Sequence, residues 1–489
     1  METALLAAAA RAGLTRQSLL ERLPEQREEA FDTATKMMAT FHKADGCCLV
    51  AVKGAPEAVL KACSAVRYRQ GDRRLDWKEN ERWLQSSEGL AAEGLRVLAL
   101  ARKQVDSADA DPYVDLTLIG LAAMMDPPRR GVSRAIALCR HAGLKVVMVT
   151  GDHPRTALKI ACQVGLAGSK NEKVVEGSRI KPPAELSEQQ RERLMRAVVF
   201  ARVSPEQKLH LVNVHKEAGS IVAMTGDGVN DAPGLRRADI GVAMGLRGTQ
   251  VAREASDMVL KDDSFSTIVE AVRQGRIIFS NIRKFIVYLL SGNVSEIMIV
   301  LAASLLNCPL PILPLQILLL NIIIDVFPAL ALGLGEGSGD AMEKPPRNPA
   351  EPVLTSKHWA AVFGYGLLIA LPVMAAFAVS LGPLETQADR AVTVSFLTLA
   401  FARLWHVFNM RDRGTGFFRN EITGNKYIWL AAALCILLIL AVVCTPGISS
   451  VLKLAFPDLR EWPVIIAASL IPVILGQLIK GGARQRRRQ

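Results

Sequence analysis

The chain has 489 residues, with 59 Lys and Arg against 47 Asp and Glu, so its formal net charge is +12. Its mean hydropathy of +0.23 is high for a wholly soluble protein and low for a purely membrane one. This balance predicts a mixed protein that becomes membrane-embedded near Phe285. The basic excess does not indicate nucleic acid, because aromatic residues are only 5% and no basic stripe is interleaved with them. The 8 Cys show no CxxC spacing and are expected to be reduced thiols.

Residues 1–110 mix helix, polar turns and short strands. Alternation through Met37–Phe41 and a short apolar run at Cys48–Val52 predict a pair of strands. Lys53 and Gly54 follow the second strand and turn into a helix. A Lys at a strand end beside Gly can reach a triphosphate, and it is equally typical of a surface turn.

Residues 116–263 alternate between strand and helix patterns, which is typical of an α/β fold. The predicted strand runs are LTLIGLAAMM, LKVVMVTGD, AVVFARVS, SIVAMTGDG, IGVAM and DMVL. Small apolar residues at 220–224 predict that the fourth of these strands is buried. Because ligands of open α/β sheets bind beyond the carboxyl ends of the strands, Thr150, Lys208 and Asp227 are expected to converge on one crevice.

The fourth strand opens into a loop with the sequence TGDGVND. Three of its residues offer oxygen ligands that suit a hard ion such as Mg2+ with its phosphate: Asp227, Asn230 and Asp231. An ordinary turn is the alternative for a lone GDG, since Gly, Asp and Asn are common turn residues.

The other two strand ends add complementary groups. A hydroxyl and backbone amides at Thr150, Gly151 and Asp152 can hold phosphoryl oxygens, and Lys208 can neutralise charge that develops on a transferred phosphoryl group. Taken singly, Thr150 could be a helix cap and Lys208 a solvated helix residue.

The run TGDGVNDAP resembles the hinge motif of P-type ATPases, which closes a phosphorylation domain of the haloacid dehalogenase-like superfamily. The resemblance implies that Asp227 holds Mg2+ at an aspartyl phosphate, and that Asn230 and Asp231 support the phosphate and the metal. It implies the phosphate-binding roles given above for the TGD residues and for Lys208, which follows FARVSPEQ. His153 stands where many relatives carry Asn, and little consequence is expected.

Residues 1–110 resemble the later part of the nucleotide-binding domain of the same family. The resemblance rests on AFD, TKM, KGAPE and GLRVLALA, which occur in the family's order. It implies ATP as substrate and a pocket of five residues: Phe31 stacked on adenine, Lys36, Lys53 and Gly54 along the pocket, and Arg96 at the phosphates.

Six apolar segments follow, each about long enough to cross a bilayer. They are expected at about 285–306, 313–334, 358–381, 391–410, 427–446 and 463–480. Basic residues cluster in alternate loops and in the tail GARQRRRQ, so the positive-inside rule places both ends and the soluble domains in the cytoplasm. The tail then acts as a topology signal or a contact with anionic lipid rather than a nucleic-acid arm. The expected location is a bacterial plasma membrane.

Two pairs of polar residues lie inside the first two segments. Asn293 and Glu296 are three residues apart, and Asn321 and Asp325 are four apart, so each pair shares one helix face. Carboxylates at this depth usually face an interior or an ion path, and two carboxylates with two amide oxygens make a hard-cation site. A polar network that only packs the helices is the alternative.

The strings NVSE and LPLQILLLNIIIDVFPALALG are similar to the fifth and sixth helices of calcium-type pumps. The resemblance favours Ca2+, with Mn2+ or a monovalent cation as alternatives. Ile324 stands where two-site calcium pumps have Thr, and Arg403 where they have Glu, which predicts one ion per cycle with Arg403 in the second site. Equally, Arg403 could snorkel toward the cytoplasmic surface near Arg411.

P-type ATPases form their aspartyl phosphate on the Asp of DKTGT, and no DKTG occurs in this sequence. The resemblance therefore covers about the carboxyl-terminal half of the family. It implies a separate or upstream amino-terminal half that supplies DKTGT, the actuator domain and the first four membrane helices. Alone, the chain is expected not to autophosphorylate. The alternatives are a membrane-anchored haloacid dehalogenase-like phosphatase and a non-catalytic protein that binds nucleotide or cation.

The predicted fold is an α/β haloacid dehalogenase-like phosphorylation domain with part of an α+β nucleotide-binding domain, followed by an all-α bundle of six transmembrane helices. The expected boundaries are 1–110 for the partial nucleotide-binding domain, 111–275 for the phosphorylation domain without its DKTGT strand, 276–334 for the first two membrane helices with the ion-site residues, and 335–489 for four further helices and the basic tail.

Overall fold

The computed structural model describes residues 2–32, 34–44, 46–124, 128–168, 173–337, 339–412, 415–416 and 418–485. The chain forms two compact units. The first, which we call the α/β unit, comprises Met1–Arg140 and Lys145–Ser266. The second, the helical unit, comprises His141–Leu144 and Thr267–Gln489. The end of the basic tail, predicted as a topology signal, lies outside the described residues.

The strands all lie in the α/β unit. They are β1 Glu25–Asp32, β2 Met37–Ala44, β3 Cys47–Gly54, β4 Cys63–Tyr68, β5 Gly71–Arg74, β6 Arg96–Val105, β7 Leu116–Met124, β8 Met148–Val149, β9 Val175–Glu176, β10 Val199–Ala201, β11 Ala223–Gly226, β12 Ile240–Met244 and β13 Met258–Leu260. Its helices are α1 Glu2–Arg11, α2 Arg16–Arg22, α3 Pro56–Ala62, α4 Trp77–Ala92, α5 Val132–His141, α6 Pro154–Gln163, α7 Glu188–Arg196, α8 Pro205–Glu217, α9 Ala232–Arg237 and α10 Gln250–Glu254.

The largest sheet has seven strands in the order β1-β2-β3-β6-β7-β4-β5. The predicted pair β2 and β3 is present and antiparallel, with Met37 opposite Gly54. β7 pairs antiparallel with β6 and parallel with β4. The sequence predicts this strand as part of the β/α pattern of residues 116–263, whereas in the structure it pairs with β6 and β4. An apolar run indicates that a strand is buried without showing which strand it pairs with. The boundary expected at residue 110 falls between two paired strands.

The rest of the predicted β/α series forms two separate three-stranded sheets, β8-β10-β9 and β11-β12-β13, and every pairing in them is parallel. Helix α8 connects β10 to β11. Its buried Leu211 and Val214 pack in one apolar cluster with Phe200 of β10. On its polar face, Lys216 forms an ion pair with Asp239, the residue before β12, with 2.9 Å between Nζ and Oδ1. One helix thus contacts both parallel sheets.

β11 lies at the edge of its sheet and pairs with β12 alone among the described strands. Ile221, just before it, is 63% exposed, and Ala223 and Thr225 on the same face are exposed as well. The prediction that this strand is buried is wrong for this structure. A parallel strand becomes buried only when it has neighbours on both sides and helices on both faces, and β11 has one neighbour.

The helical unit consists of α11 Phe265–Leu305, α12 Pro314–Leu320, α13 Val326–Gly333, α14 Ser356–Leu381, α15 Ala388–His406, α16 Lys426–Cys444, α17 Pro446–Val451 and α18 Trp462–Gln485. Among the described residues, six helical segments are long and apolar enough to cross a membrane, as predicted. α11 has 41 residues, about 60 Å at ~1.5 Å per residue, so the predicted span 285–306 is only its second half. The fourth span, Ala388–Met410, is the most enclosed of the six, because 83% of its most apolar 18-residue stretch is buried.

The second span is interrupted. α12 and α13 are joined by a π-helical turn, Asn321–Asp325. Pro328 lies in the first turn of α13 and lacks the N–H that would bond to the carbonyl of Ile324. π-helical turns often mark functional positions in helices, and this one holds both polar residues predicted in the span.

Candidate phosphate-binding and cation-binding sites

Asp231 anchors the loop that follows β11. Its Oδ2 accepts hydrogen bonds from the backbone N–H of Asp227 and of Gly228, both at 3.2 Å. Its Oδ1 accepts a hydrogen bond from Lys208 Nζ at 2.7 Å, and the residue is 7% exposed. Gly226 is required beside it, because a Cβ there would come within 2.5 Å of the Asp231 Cβ. One carboxylate thereby fixes both the loop backbone and the lysine.

Asp227 and Asn230 lie at the exposed mouth of the same loop. The loop thus holds two kinds of carboxylate: Asp231 is buried and paired with Lys208, whereas Asp227 faces solvent, where it can bind an ion. Across the described ranges, no three His, Cys, Asp or Glu side chains are grouped closely enough to hold a metal. A Mg2+ ion here would therefore take amide, phosphate or water oxygens besides Asp227, which is usual for this ion.

The TGD residues form a second group at the end of β8. Thr150 Oγ1 donates to Asp152 Oδ2 at 2.9 Å and accepts from the Asp152 N–H at 3.1 Å, around Gly151. The Thr150 carbonyl accepts from the Val203 N–H at 3.1 Å. Val203 immediately precedes Ser204, the N-cap of the helix that carries Lys208. The structure therefore ties the TGD turn to the start of α8.

Four predicted nucleotide-binding residues lie at one end of the seven-stranded sheet. The register sets the end of β1, the start of β2 and the end of β3 side by side, which brings together Phe31, Lys36, Lys53 and Gly54. Phe31 is 60% exposed, as a side chain open to a planar ligand would be. Lys36 Nζ lies 3.2 Å from Glu57 Oε1, and both side chains are exposed.

Arg96 begins β6 and forms an ion pair with Asp152, with 3.1 Å between Nη2 and Oδ1. The structure therefore brings this predicted phosphate-binding residue to the TGD turn. An exposed ion pair of this kind contributes about 0–1 kcal/mol to stability, so Arg96 can exchange Asp152 for another anion at little cost.

Arg403 of α15 lies among the predicted cation ligands. Its guanidinium donates to the carboxylates of Glu296 and Asp325, and Nη1 lies 3.3 Å from Asn321 Oδ1. Arg403 is 1% exposed and Glu296 is 5% exposed. Buried carboxylates of this kind require a compensating positive charge. The structure thus joins three of the four predicted ligands around one guanidinium.

The alternative that Arg403 snorkels to the cytoplasmic surface is wrong, because its guanidinium is enclosed between helices and bonded to two carboxylates. Arg411 lies at the end of the same span and bonds instead to Gln477 and the Thr415 carbonyl. The fourth predicted ligand, Asn293, does not join the guanidinium cluster in the described contacts. Its Oδ1 is buried and has no hydrogen-bond partner there, which leaves one oxygen for an ion or water.

Two carbonyls of the π-helical turn are held by side chains from other helices. Tyr288 of α11 donates its hydroxyl hydrogen to the Ile324 carbonyl at 3.2 Å. Cys435 of α16 donates its thiol hydrogen to the Ile323 carbonyl at 3.4 Å. Tyr288 thus replaces the donor that Pro328 lacks.

Sequence reasoning missed two residues at this cluster, Tyr288 and Gly292. Pro328 indicates that the Ile324 carbonyl, four residues earlier, lacks its helical donor. The sequence does not indicate that Tyr288 supplies the replacement. The Gly292 signal is a glycine in the middle of an apolar helix, a position that glycine disfavours unless packing requires it.

Two family models match the chain. One, described as "P-type ATPase, cytoplasmic domain N", matches residues 1–131. The other, described as "Cation transporting ATPase, C-terminus", matches residues 309–481. The first includes the exposed Phe31 and the β2–β3 hairpin, and the second includes the π-helical turn and Arg403.

Curated relatives are similar over nearly the whole chain. A "Calcium-transporting ATPase" of Bacillus subtilis (strain 168) is 40% identical over 97% of this chain and 53% of its own length. A "Calcium-transporting ATPase 1" of Bacillus cereus is 36% identical over 98% and 56%, and one of Lactococcus lactis is 34% identical over 98% and 54%. The chain spans about half the length of the curated relatives it matches. It belongs to the cation-transporting P-type ATPase family and is a multi-pass membrane protein.

Proposed function

We propose that the chain is the carboxyl-terminal half of an ATP-driven cation transporter whose ion is Ca2+. The buried carboxylate of Glu296 and the half-buried carboxylate of Asp325, both paired with Arg403, carry this proposal. Ionisable residues inside membrane-spanning helices are costly and mark ion pathways. Carboxylate and amide oxygens, here with Asn321, are the ligands that a hard cation such as Ca2+ prefers. The named activity of the bacterial relatives agrees with this ion.

The α/β unit is proposed to bind ATP and to stabilise phosphoryl transfer, in a haloacid dehalogenase-like domain. Phe31, Lys36, Lys53 and Gly54 supply an open edge for the nucleotide. Lys208 supplies positive charge at the loop that Asp231 organises. Mg2+, held by Asp227 with Asn230, would neutralise charge on the phosphoryl oxygens.

The two separate parallel sheets support a requirement for a strand from elsewhere. β8 and β11 each have one unpaired edge among the described strands, and α8 contacts both sheets. Unpaired edges with an exposed apolar face accept additional strands. We infer that a DKTGT-bearing strand from an amino-terminal half pairs here, with its Asp near the TGD and TGDGVND loops. That half would also bring the actuator domain and four membrane helices.

Arg403 is proposed to occupy the position that a second transported ion would use. Its guanidinium, with Glu296 and Asp325, leaves a formal charge of −1 on the cluster. That charge suits one divalent cation better than two. Ile324 presents only an apolar side chain here, so it adds no side-chain oxygen. The complete transporter is therefore expected to move one ion per cycle.

The soluble portion and both ends of the six-span region are proposed to face the cytoplasm of a bacterium, in its plasma membrane. An even number of spans puts both ends on one side, and basic residues concentrate in the loops assigned to that side. The lipid bilayer is then the surrounding partner, and no nucleic acid is involved.

Equilibrium binding of 45Ca2+ to the full chain in nanodiscs tests the proposal. Wild type is expected to saturate at no more than one Ca2+ per chain, and Glu296→Gln is expected to weaken binding by at least about tenfold, because one ligand charge is lost. The control is Glu343→Gln, which removes an exposed charge outside the spans of the same unit. Undiminished binding in Glu296→Gln would contradict the proposed cation site. Binding of two ions per chain would contradict the proposal of one ion per cycle.

A further inference from the structure

Gly292 lies in the middle of α11, on its buried face. Its neighbours on that face, Ser291 and Ser295, are also small, and the Ser295 hydroxyl donates to the Gly292 carbonyl at 2.6 Å. Glycine in a helix interior is less favourable than alanine, because it loses more backbone freedom on folding. A requirement outside the helix must therefore explain the residue.

The requirement is space for the Arg403 side chain. A Cβ at position 292 would lie 2.7 Å from Arg403 Nε, 2.8 Å from Nη2 and 2.9 Å from Cζ. All three distances are shorter than real carbon contacts allow. The guanidinium of Arg403 therefore packs directly against the backbone of Gly292.

The close atoms belong to the far end of a flexible side chain and not to backbone. An added methyl group would consequently displace the guanidinium before it displaces a helix. The guanidinium is held in place by Glu296, Asn321 and Asp325. Its displacement would break those bonds and remove positive charge from between the two carboxylates.

We propose that Gly292 is a specificity-determining residue, which admits Arg403 as a built-in cation between Glu296 and Asp325. This inference rests on the proposed function for its consequence in ion binding. Its steric part stands on the packing alone. With any side chain at position 292, the two carboxylates would lose their internal counter-charge and bind an external cation more tightly.

A double-mutant cycle tests the inference on the full chain in nanodiscs, with two readouts. Gly292→Ala is compared in the wild-type background and in an Arg403→Ala background. Gly275→Ala is the control, since it lies in the same helix and a Cβ there would meet no atom within 4 Å. The readouts are the midpoint of thermal unfolding and equilibrium binding of 45Ca2+.

The expected result is a loss of about 2–5 °C for Gly292→Ala in the wild-type background and no loss in the Arg403→Ala background. Affinity for 45Ca2+ should rise by about tenfold in Gly292→Ala, as the guanidinium leaves. Gly275→Ala should leave the 45Ca2+ affinity unchanged and should not lower the midpoint in either background, because alanine favours the helix more than glycine does.

Equal thermal shifts for Gly292→Ala in the two backgrounds would overturn the inference, whatever the 45Ca2+ result. Thermal coupling without 45Ca2+ binding by any variant would leave the steric inference standing and overturn the proposed cation site. Thermal coupling with unchanged 45Ca2+ affinity, in a chain that binds Ca2+, would refute the specificity role.

Discussion

At the residue scale, the conformation of the TGDGVND loop depends on one buried carboxylate. Asp231 accepts two backbone amides and a lysine, whereas Asp227 faces solvent. The buried carboxylate positions the loop and Lys208, and the exposed one is the carboxylate proposed to bind the ion. A sequence motif lists both residues without distinguishing them, because burial depends on how the loop folds back over Gly226.

Asp263 is a second buried carboxylate in the α/β unit. It is 3% exposed and accepts the N–H of Leu246 at 2.9 Å and of Arg247 at 3.1 Å. The bond from the Leu246 amide, with those from neighbouring amides and the charge of Arg129, lowers the pKa of Asp263 below its ordinary value. A carboxylate with a lowered folded-state pKa stabilises the fold above its unfolded pKa of about 4, and that stability is lost as the pH falls through the lowered value.

Asp263→Asn is therefore expected to lower the thermal midpoint of the chain at pH 7. The gap from wild type should narrow as the pH is lowered below about 4. Asn suits the site's shape, since Asp263 has a φ of 51° and Asn tolerates that left-handed conformation. Thermal unfolding followed by fluorescence from pH 3 to pH 7 measures the gap, with the exposed Asp106→Asn as control. A gap that is constant with pH would contradict this account.

The grouping of the polar residues in the first two spans was predictable from sequence in part. Spacing predicted that each pair of polar residues shares one helix face, and the structure brings Glu296, Asn321 and Asp325 to the Arg403 guanidinium, while Asn293 makes no described contact with it. The position of Arg403 was not predictable, because a long side chain on an apolar helix can reach either the interior or the surface. In the structure the Arg403 guanidinium lies inside, against Gly292 and paired with Glu296 and Asp325.

At the element scale, the π-helical turn positions two of the residues that contact Arg403. It carries Asn321 at its start and Asp325 at its end. Pro328 offers no N–H to the Ile324 carbonyl, and the Tyr288 hydroxyl donates to that carbonyl instead. A hydrogen bond from the first span thus contributes to the stability of the interrupted second span.

Tyr288→Phe is expected to destabilise the helical unit by about 1–3 kcal/mol, the usual cost of leaving a buried carbonyl unsatisfied. The ring remains, so its stacking on His406 is retained. Denaturation of the full chain in detergent measures the loss. Tyr427→Phe is the control, because Tyr427 is 45% exposed. If the two variants unfold alike, the hydrogen bond to Ile324 does not support the turn.

Strand partners were the least predictable feature of the elements. The apolar runs located β7 and β11, yet β7 joins the seven-stranded sheet and β11 is exposed. Periodicity reports how a strand's faces are buried in the finished fold, and it carries no information on which neighbour provides the burial. The exposed apolar face of β11 is the face on which we propose that another strand packs.

At the scale of the whole molecule, the α/β unit and the helical unit each contain part of the proposed transport machinery. The first has the TGD and TGDGVND loops, which are proposed to bind phosphate, with Lys208, and the second has two carboxylates paired with Arg403. The chain spans about half the length of its relatives. The central proposal is that these parts operate together only with a DKTGT-bearing strand beside β8 and β11.

Phosphorylation from [γ-32P]ATP tests that proposal most directly. The chain is assayed alone, and again after co-expression with a polypeptide that supplies DKTGT and four membrane helices. We predict no acid-stable phosphoenzyme on the chain alone, and label on the partner polypeptide in the pair, abolished by Asp227→Asn. An acid-stable phosphoenzyme on the isolated 489-residue chain would contradict the account.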